Sequence, residues 1–198
     1  MISPWPVELD SVTLRYPTAG DIEQVLAFRN LPEVNRFMIR TSVEPEQLRR
    51  ELQDVAASER DYSCVAVRGD TVVAIGFLEL HDAVGQPGKP LGTEAVIGYL
   101  VHPAYWGQRI GSDLVPALLE VAFSVLGLRR VTATCSAPNV ASARLLAGAG
   151  MRLEARRLAE EWHAELGWID GLHYAMLAEE WHQRNTKVDA RCTDVTGR

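Results

Sequence analysis

The sequence predicts an α/β fold of the α+β kind, with a mixed central sheet of about seven strands and flanking helices. Three observations lead there. Two β-branched runs, 62–68 and 71–81, flank Gly69-Asp70, which is a hairpin signal. Residues 94–151 read strand, glycine-bearing turn, long helix, strand and Asn-capped helix. The chain has 198 residues and is 47% hydrophobic, enough for one packed core.

Each element follows from local pattern. Residues 7–15 alternate loosely and stop at Pro17, which predicts a first strand. Thr18 and Asp21 have capping-box spacing before Ile22, Val25, Leu26 and Arg29, which keep helical rhythm until Pro32. Residues 34–39 form a short helical piece or a loop. A helix is predicted over 45–58, with Leu48, Leu52 and Val55 on one face and Ser42 or Glu44 as cap. The hairpin 62–81 comes next, then a loop over 82–92 that holds three glycines and two prolines.

Residues 94–101 form a strand that His102-Pro103 ends. Ile110, Leu114, Leu118, Val121, Ala122 and Val125 mark a long amphipathic helix. Pro116 is expected to bend it and Gly127 to stop it. A strand over 130–135 leads to Asn139, which caps a helix reaching Gly148 or Gly150. Two strands over 151–166 and 167–178 and a short helix over 179–184 complete the domain, expected to span 1–184. Residues 185–198 are polar and aperiodic and are expected to be a disordered tail. The order is β-α-α-β-β-β-α-β-α-β-β. A meander followed by a strand–helix–strand crossover is neither a doubly wound nor a barrel pattern.

Net charge is −6, from 26 acidic and 20 basic residues. That argues against nucleic-acid binding, which needs a basic footprint, and suits a cationic small-molecule or peptide partner. Cys64, Cys135 and Cys192 lack metal spacing, and so do His163, His173 and His182, so no metal is expected. Cys64 and Cys135 sit in apolar runs and read as buried thiols. With neither a signal-type N-terminus nor a membrane-length apolar run, a reducing cytoplasm is the expected setting.

The turn Trp106-Gly107-Gln108-Arg109-Ile110-Gly111 carries the chemical signal. It lacks both the Gly-Lys-Ser/Thr of a Walker loop and the three-glycine dinucleotide spacing. A strand feeding such a turn and then a helix offers backbone N–H groups to a phosphate. One strand further on stands Asn139-x-x-Ser142, followed by Gly150-Met151.

Together with Gly98-Tyr99 and Val101-His102-Pro103, these segments resemble the GNAT superfamily of acyl-CoA-dependent N-acetyltransferases over about residues 8–182. The later pattern is most like the ribosomal-protein (Rim-type) group: Met151-Arg152-Leu153-Glu154, Trp168-Ile169-Asp170-Gly171, Tyr174-Ala175-Met176-Leu177 and Glu180-Trp181. The resemblance implies the GNAT fold, acetyl-CoA as co-substrate and direct acetyl transfer to a primary amine. A protein N-terminus, a polyamine or an aminoglycoside-like amine would serve. The alternative is a non-catalytic acyl-CoA-binding module or sensor of the same fold. The resemblance also implies a monomer or a homodimer.

Site residues follow from the resemblance. Tyr99, Leu100 and Val101 lie on the strand that pairs with the pantetheine arm, and the N–H of Leu100 or Val101 would meet the oxyanion. Trp106, Gly107, Gln108, Arg109, Ile110, Gly111 and Ser112 surround the pyrophosphate. Asn139 contacts pantetheine or caps its helix. Two departures stand out. Arg109 replaces an internal glycine of the turn. Leu146 stands where many members carry a thiol-protonating tyrosine, which leaves Ser142 to meet the departing sulfur or to bond within its own helix. Glu94 is the first choice of general base and Asp170 the second. Glu79 and His81 could line the same cleft. Trp168 and Tyr174 line the acceptor pocket or fill the last hairpin. Phe28, Phe37 and Met38 read as core close to the acceptor wall.

Overall fold

The structure, a computed structural model, describes residues 3–184 and 186. The expected tail over 185–198 falls outside them, residue 186 apart, as does Cys192.

Residues 7–15 fold as two strands where the pattern predicts one. Val7–Glu8 (β1) pairs antiparallel with Thr13–Arg15 (β2), and the Leu9 N–H donates to the Val12 carbonyl at 2.9 Å across the reversal at Asp10-Ser11. Asp and Ser favour such a turn because their side chains bond nearby backbone. The sheet therefore has eight strands and not seven.

Three short helices follow: Ile22–Arg29 (α1), Pro32–Asn35 (α2) and Pro45–Gln53 (α3). Proline opens both α2 and α3, where its missing N–H costs nothing. The helix predicted over 45–58 stops at Gln53, and a 3-10 turn covers Val55–Ala57. Cys64–Arg68 (β3) and Thr71–His81 (β4) form the predicted hairpin, with Gly69 at φ +59°.

Glu94–Val101 (β5) pairs antiparallel with β4 along its whole length. Ile110–Glu120 (α4) leads to Arg130–Ser136 (β6), and Val140–Gly148 (α5) to the long hairpin of Arg152–His163 (β7) and Gly167–Leu177 (β8). A last helix (α6) covers 178–184. Strand β8 inserts between β6 and β7, giving the order β1-β2-β3-β4-β5-β6-β8-β7. The only parallel pair in this sheet is β5 with β6. Pro116 sits within α4, and after Glu120 the helix widens into a π turn over Val121–Val125 before Gly127 (φ +65°) ends it.

The two faces of the sheet bury separate cores. Leu114, Leu118 and Leu119 of α4 cover Ala74, Leu78, Ala95 and Ile97 on one face. Val25 and Phe28 of α1 and Leu48 and Leu52 of α3 cover Val65, Ile75 and Leu100 on the other. A bulge between Ala66 and Val67 lets β4 present Val72 and Ile75 to the second face. Gly76 has a packing reason: a Cβ there would meet Leu114, Leu118 and the Cys64 sulfur at 3.1–3.2 Å.

The capping box is reinforced from β2. The Thr18 N–H and hydroxyl both donate to Asp21 Oδ2 at 2.7 Å. Arg15 adds a bidentate pair to the same carboxylate at 2.7 and 2.8 Å. Burial pushes the Asp21 carboxyl up, but the Arg15 and Thr18 hydrogen bonds outweigh it and hold the group at about 2. A depressed folded-state pKa stabilises the protein above the unfolded value, and that stability fades as pH falls through the folded one. Asp21→Asn is therefore expected to lose roughly 2 kcal/mol at pH 7. In urea titrations the gap between variant and parent should close as pH falls from about 4 towards 2. A gap independent of pH would remove the ion pair as its cause.

Candidate active site

Pairing between β5 and β6 lasts only from Glu94 to Val96 on one strand and Arg130 to Thr132 on the other. Beyond that, β5 stays on β4 and β6 stays on β8 through Ser136. The strands part, and a cleft of about 930 Å³ opens between them. Among the described residues, the backbone edge of residues 97–101 that faces away from β4 has no strand partner. At its end the Val101 carbonyl accepts from the Trp106 indole N–H at 2.8 Å. Phe37 and Met38, from the segment after α2, form the outer wall. The tip of the last hairpin touches that segment: His163 Nε2 lies 2.7 Å from the Arg36 carbonyl, and its ring is 5.6 Å from Phe37.

The cleft ends at the N-terminus of α4. Gly107 (φ +75°) and Arg109 (φ +67°) are both left-handed. Arg109 thus keeps the backbone of the glycine it replaces, at a cost of about 1 kcal/mol. The first bond of the helix runs from the Asp113 N–H to the Arg109 carbonyl at 3.0 Å. The N–H groups of Ile110, Gly111 and Ser112 precede it, and such first-turn donors have no partner within a helix. With the helix dipole they make this end electropositive. Gly111 allows α4 to sit against α5, since a Cβ there would come within 2.9 Å of Leu145 Cδ1.

Trp106, Gly107, Arg109, Ile110, Gly111 and Ser112 all line the cleft, as do Tyr99, Leu100, Val101, Asn139 and Ser142. Gln108 does not. Its Oε1 accepts from Arg68 at 2.9 Å, and its Nε2 donates to the Ala104 carbonyl at 3.0 Å. Asn139 caps α5, its Oδ1 accepting from the Ser142 N–H at 3.2 Å while the residue borders the cleft. The Ser142 and Tyr99 hydroxyls lie 2.8 Å apart and share a hydrogen bond. Burial pushes the Tyr99 phenol up to about 12, so it stays protonated at neutral pH. Leu146, in the family's tyrosine position, also lines the cleft and is buried. Cys135 is nearly buried yet borders the cleft, with its thiol pushed up by burial.

The carboxylates are distributed differently from the sequence expectation. Glu94 lies at the opposite end of β5, about 13 Å along the strand from Gly98 at the usual rise per residue. It is buried and ion-paired with Arg129, outside the cleft. The obstacle is distance along the strand and not which face the residue occupies. Asp170 is also outside the cleft. It accepts from the left-handed Ala159 N–H at 2.9 Å and from Arg156 Nε at 2.7 Å, fixing a bulge in β7 and lying below the usual carboxylate range. Trp168 packs edge-on against Trp162, both largely exposed, and Tyr174 is buried in the core; neither lines the cleft.

Glu79 does line the cleft, while His81, two residues on, does not. Its face follows from alternation along β4, where Ile75, Phe77 and Glu79 share one side. Glu79 is open to solvent, yet crowding by protein atoms, together with Asp61 and Glu51, raises its carboxyl above the usual range. A second cavity of about 340 Å³ lies beneath α1 and α3. Phe77 and Glu79 line both spaces, so the two meet there. Among the described residues no cluster of His, Cys, Asp and Glu could hold a metal ion, and no helix is long and apolar enough to cross a membrane.

Residues 11–152 match the family model of the acetyltransferase (GNAT) domain. The uncharacterized N-acetyltransferase YoaA of Bacillus subtilis (strain 168) is 32% identical over 152 residues, 75% of this chain and 83% of that protein. Two solved structures share the fold at low identity. The spermidine N-acetyltransferase of Vibrio cholerae, in complex with CoA and spermine, has a TM-score of 0.74 at 14% identity, covering 87% of this chain and 99% of that one. The ribosomal-protein-S5-alanine acetyltransferase of Vibrio fischeri has a TM-score of 0.73 at 16% identity, covering 89% and 98%. By sequence and by fold, the chain belongs to the GNAT family of acetyltransferases.

Proposed function

We propose that this protein transfers an acetyl group from acetyl-CoA to a primary amine, by direct attack within a ternary complex. The observation that carries the reading is the gap between β5 and β6, which runs onto the free amides of α4. An open strand edge suits the amides of a pantetheine arm. The amides of Ile110 to Ser112 and the Arg109 guanidinium suit a pyrophosphate. Bound there, acetyl-CoA supplies an activated thioester: a C–N bond forms, the C–S bond breaks, and the sulfur leaves with one proton.

The chain's own residues have defined tasks. An amine near pKa 10 arrives protonated and must lose a proton before it can attack. Glu79 stands where the two cavities meet, with a carboxyl poised above the ordinary range, and serves as base directly or through water. The role expected of Glu94 or Asp170 moves to it, because those two are held by arginines outside the cleft. The N–H of Leu100 or Val101 meets the oxygen that gains charge. The leaving sulfur takes a proton relayed from Tyr99 through Ser142, and the second proton shed by the acetylated nitrogen passes through water to restore the tyrosine. This pair replaces the tyrosine that Leu146 displaces.

Titration calorimetry is expected to give acetyl-CoA binding near micromolar concentration and none for ATP; no acetyl-CoA binding would sink the reading. Arg109→Gly should weaken CoA binding about tenfold, while stability stays within about 1 kcal/mol because relief of the left-handed strain offsets the added chain entropy. In steady-state assays Glu79→Gln should lower kcat about 10²-fold and remove the acidic limb of the pH–rate profile. That limb rises with pH, as a base must be unprotonated, and lies above the ordinary glutamate range. Ser142→Ala and Tyr99→Phe should each cost roughly tenfold in kcat, and the double variant hardly more, since one relay is broken once. Additive losses would separate the two roles.

A further inference from the structure

We infer that the acceptor is a free amino acid, one small molecule that carries both the amine to be acetylated and a carboxylate. The inference rests on the N-acetyltransferase reading and adds the substrate class. It comes from the second cavity, whose two walls carry opposite charges.

On the sheet wall, Asp61 and Glu79 are cross-strand partners in an isolated antiparallel bridge. Like charges opposite one another are unfavourable. Among the described residues neither carboxylate has a cation within ion-pair distance. An ammonium is the complement of this wall, and it would sit at the junction with the cofactor cleft.

On the helical wall the imbalance is reversed. Arg40 takes both oxygens of Glu51, at 2.7 and 3.0 Å. Arg29 is 3% exposed and has no carboxylate partner among the described residues. It donates to Asn35 Oδ1 and, at 3.0 Å, to the Arg40 carbonyl. A guanidinium has five N–H donors, so capacity remains. Asn35 is also buried, and its Nδ2 has no acceptor at all. A buried cation beside an orphaned donor is costly unless something supplies acceptors. A carboxylate matches the fork of Arg29.

Other amines fit less well. A polyamine would bring a second positive charge against Arg29 and Arg40. A simple monoamine would leave Arg29 uncompensated. A protein N-terminus would bring a trailing chain into about 340 Å³ of space. A free amino acid places its ammonium at Glu79 and its carboxylate towards Arg29.

The test measures thiol release from acetyl-CoA with free L-amino acids, their methyl esters, their decarboxylated amines, spermidine and a dipeptide. For the best amino acid, kcat/KM should exceed that of its ester and its decarboxylated amine by about tenfold or more. Arg29→Lys, which keeps the charge but loses the fork, should shrink that ratio through KM. If this variant does not fold, the wild-type ratio alone decides. Esters, decarboxylated amines, spermidine or the dipeptide reacting as well as the free acid would overturn the inference and leave the N-acetyltransferase reading standing. So would a folded Arg29→Lys with an unchanged ratio. Failure to bind acetyl-CoA, with no thiol release from any amine, would overturn both.

Discussion

Everything at the candidate active site depends on how briefly β5 and β6 pair. Three residues of each strand are in register, and then each strand keeps only its outer neighbour. Buried backbone N–H and C=O groups need partners, so a sheet that opens in its middle creates a demand that a ligand can meet. The opening is shaped on every side. Tyr99 and Ser142 link β5 to α5, Trp106 closes the Val101 carbonyl, and the turn over 102–109 leads from β5 into α4. The same strand brings the second cavity into reach, because Phe77 and Glu79 of β4, which line both spaces, pair with Gly98 and Val96 of β5.

Charge pairing decides which polar residues stay available. Arg129 holds Glu94, Arg156 holds Asp170, Arg15 holds Asp21 and Arg40 holds Glu51. The pairs at Asp21, Glu51 and Asp170 hold those carboxyls below the usual range, which makes them weak proton acceptors near neutrality. Glu79 is under the opposite influence, crowded by protein atoms and facing other carboxylates. Arg29 is its counterpart on the helical wall, a buried cation with no carboxylate in ion-pair contact among the described residues. The two imbalances face one cavity, and there the structure departs from the local neutrality found in its ion pairs.

The turn before α4 shows how a sequence irregularity can be absorbed without changing geometry. Arg109 holds a left-handed backbone that glycine would adopt freely, and the amides that follow still point out of the helix. The strain is small, and it leaves a guanidinium beside the electropositive start of α4. Leu146 offers no hydroxyl to the cleft, and the Tyr99 hydroxyl of β5 stands there instead, paired with Ser142.

Local pattern by itself determined much of this protein. The Gly69-Asp70 hairpin, the Thr18–Asp21 box, the Asn139 cap and the glycine turn each rest on interactions within a few residues, and each is where the sequence puts it. Most of the cleft wall was legible for the same reason, since one strand, one turn and one helix start contribute much of it. Three things were not. The double strand over 7–15 depends on which partner residues 13–15 find, and that partner is β3, about fifty residues away. Which carboxylates are tied up depends on which arginine reaches them: Arg129 is 35 positions from Glu94, and Arg156 is 14 from Asp170. The second cavity joins residues of α1, α3, β3's approach and β4, so its opposed charges exist only once the helices pack on the sheet. Sequence sets interactions between near neighbours, and tertiary structure decides which distant charges are neutralised and which are left for a ligand.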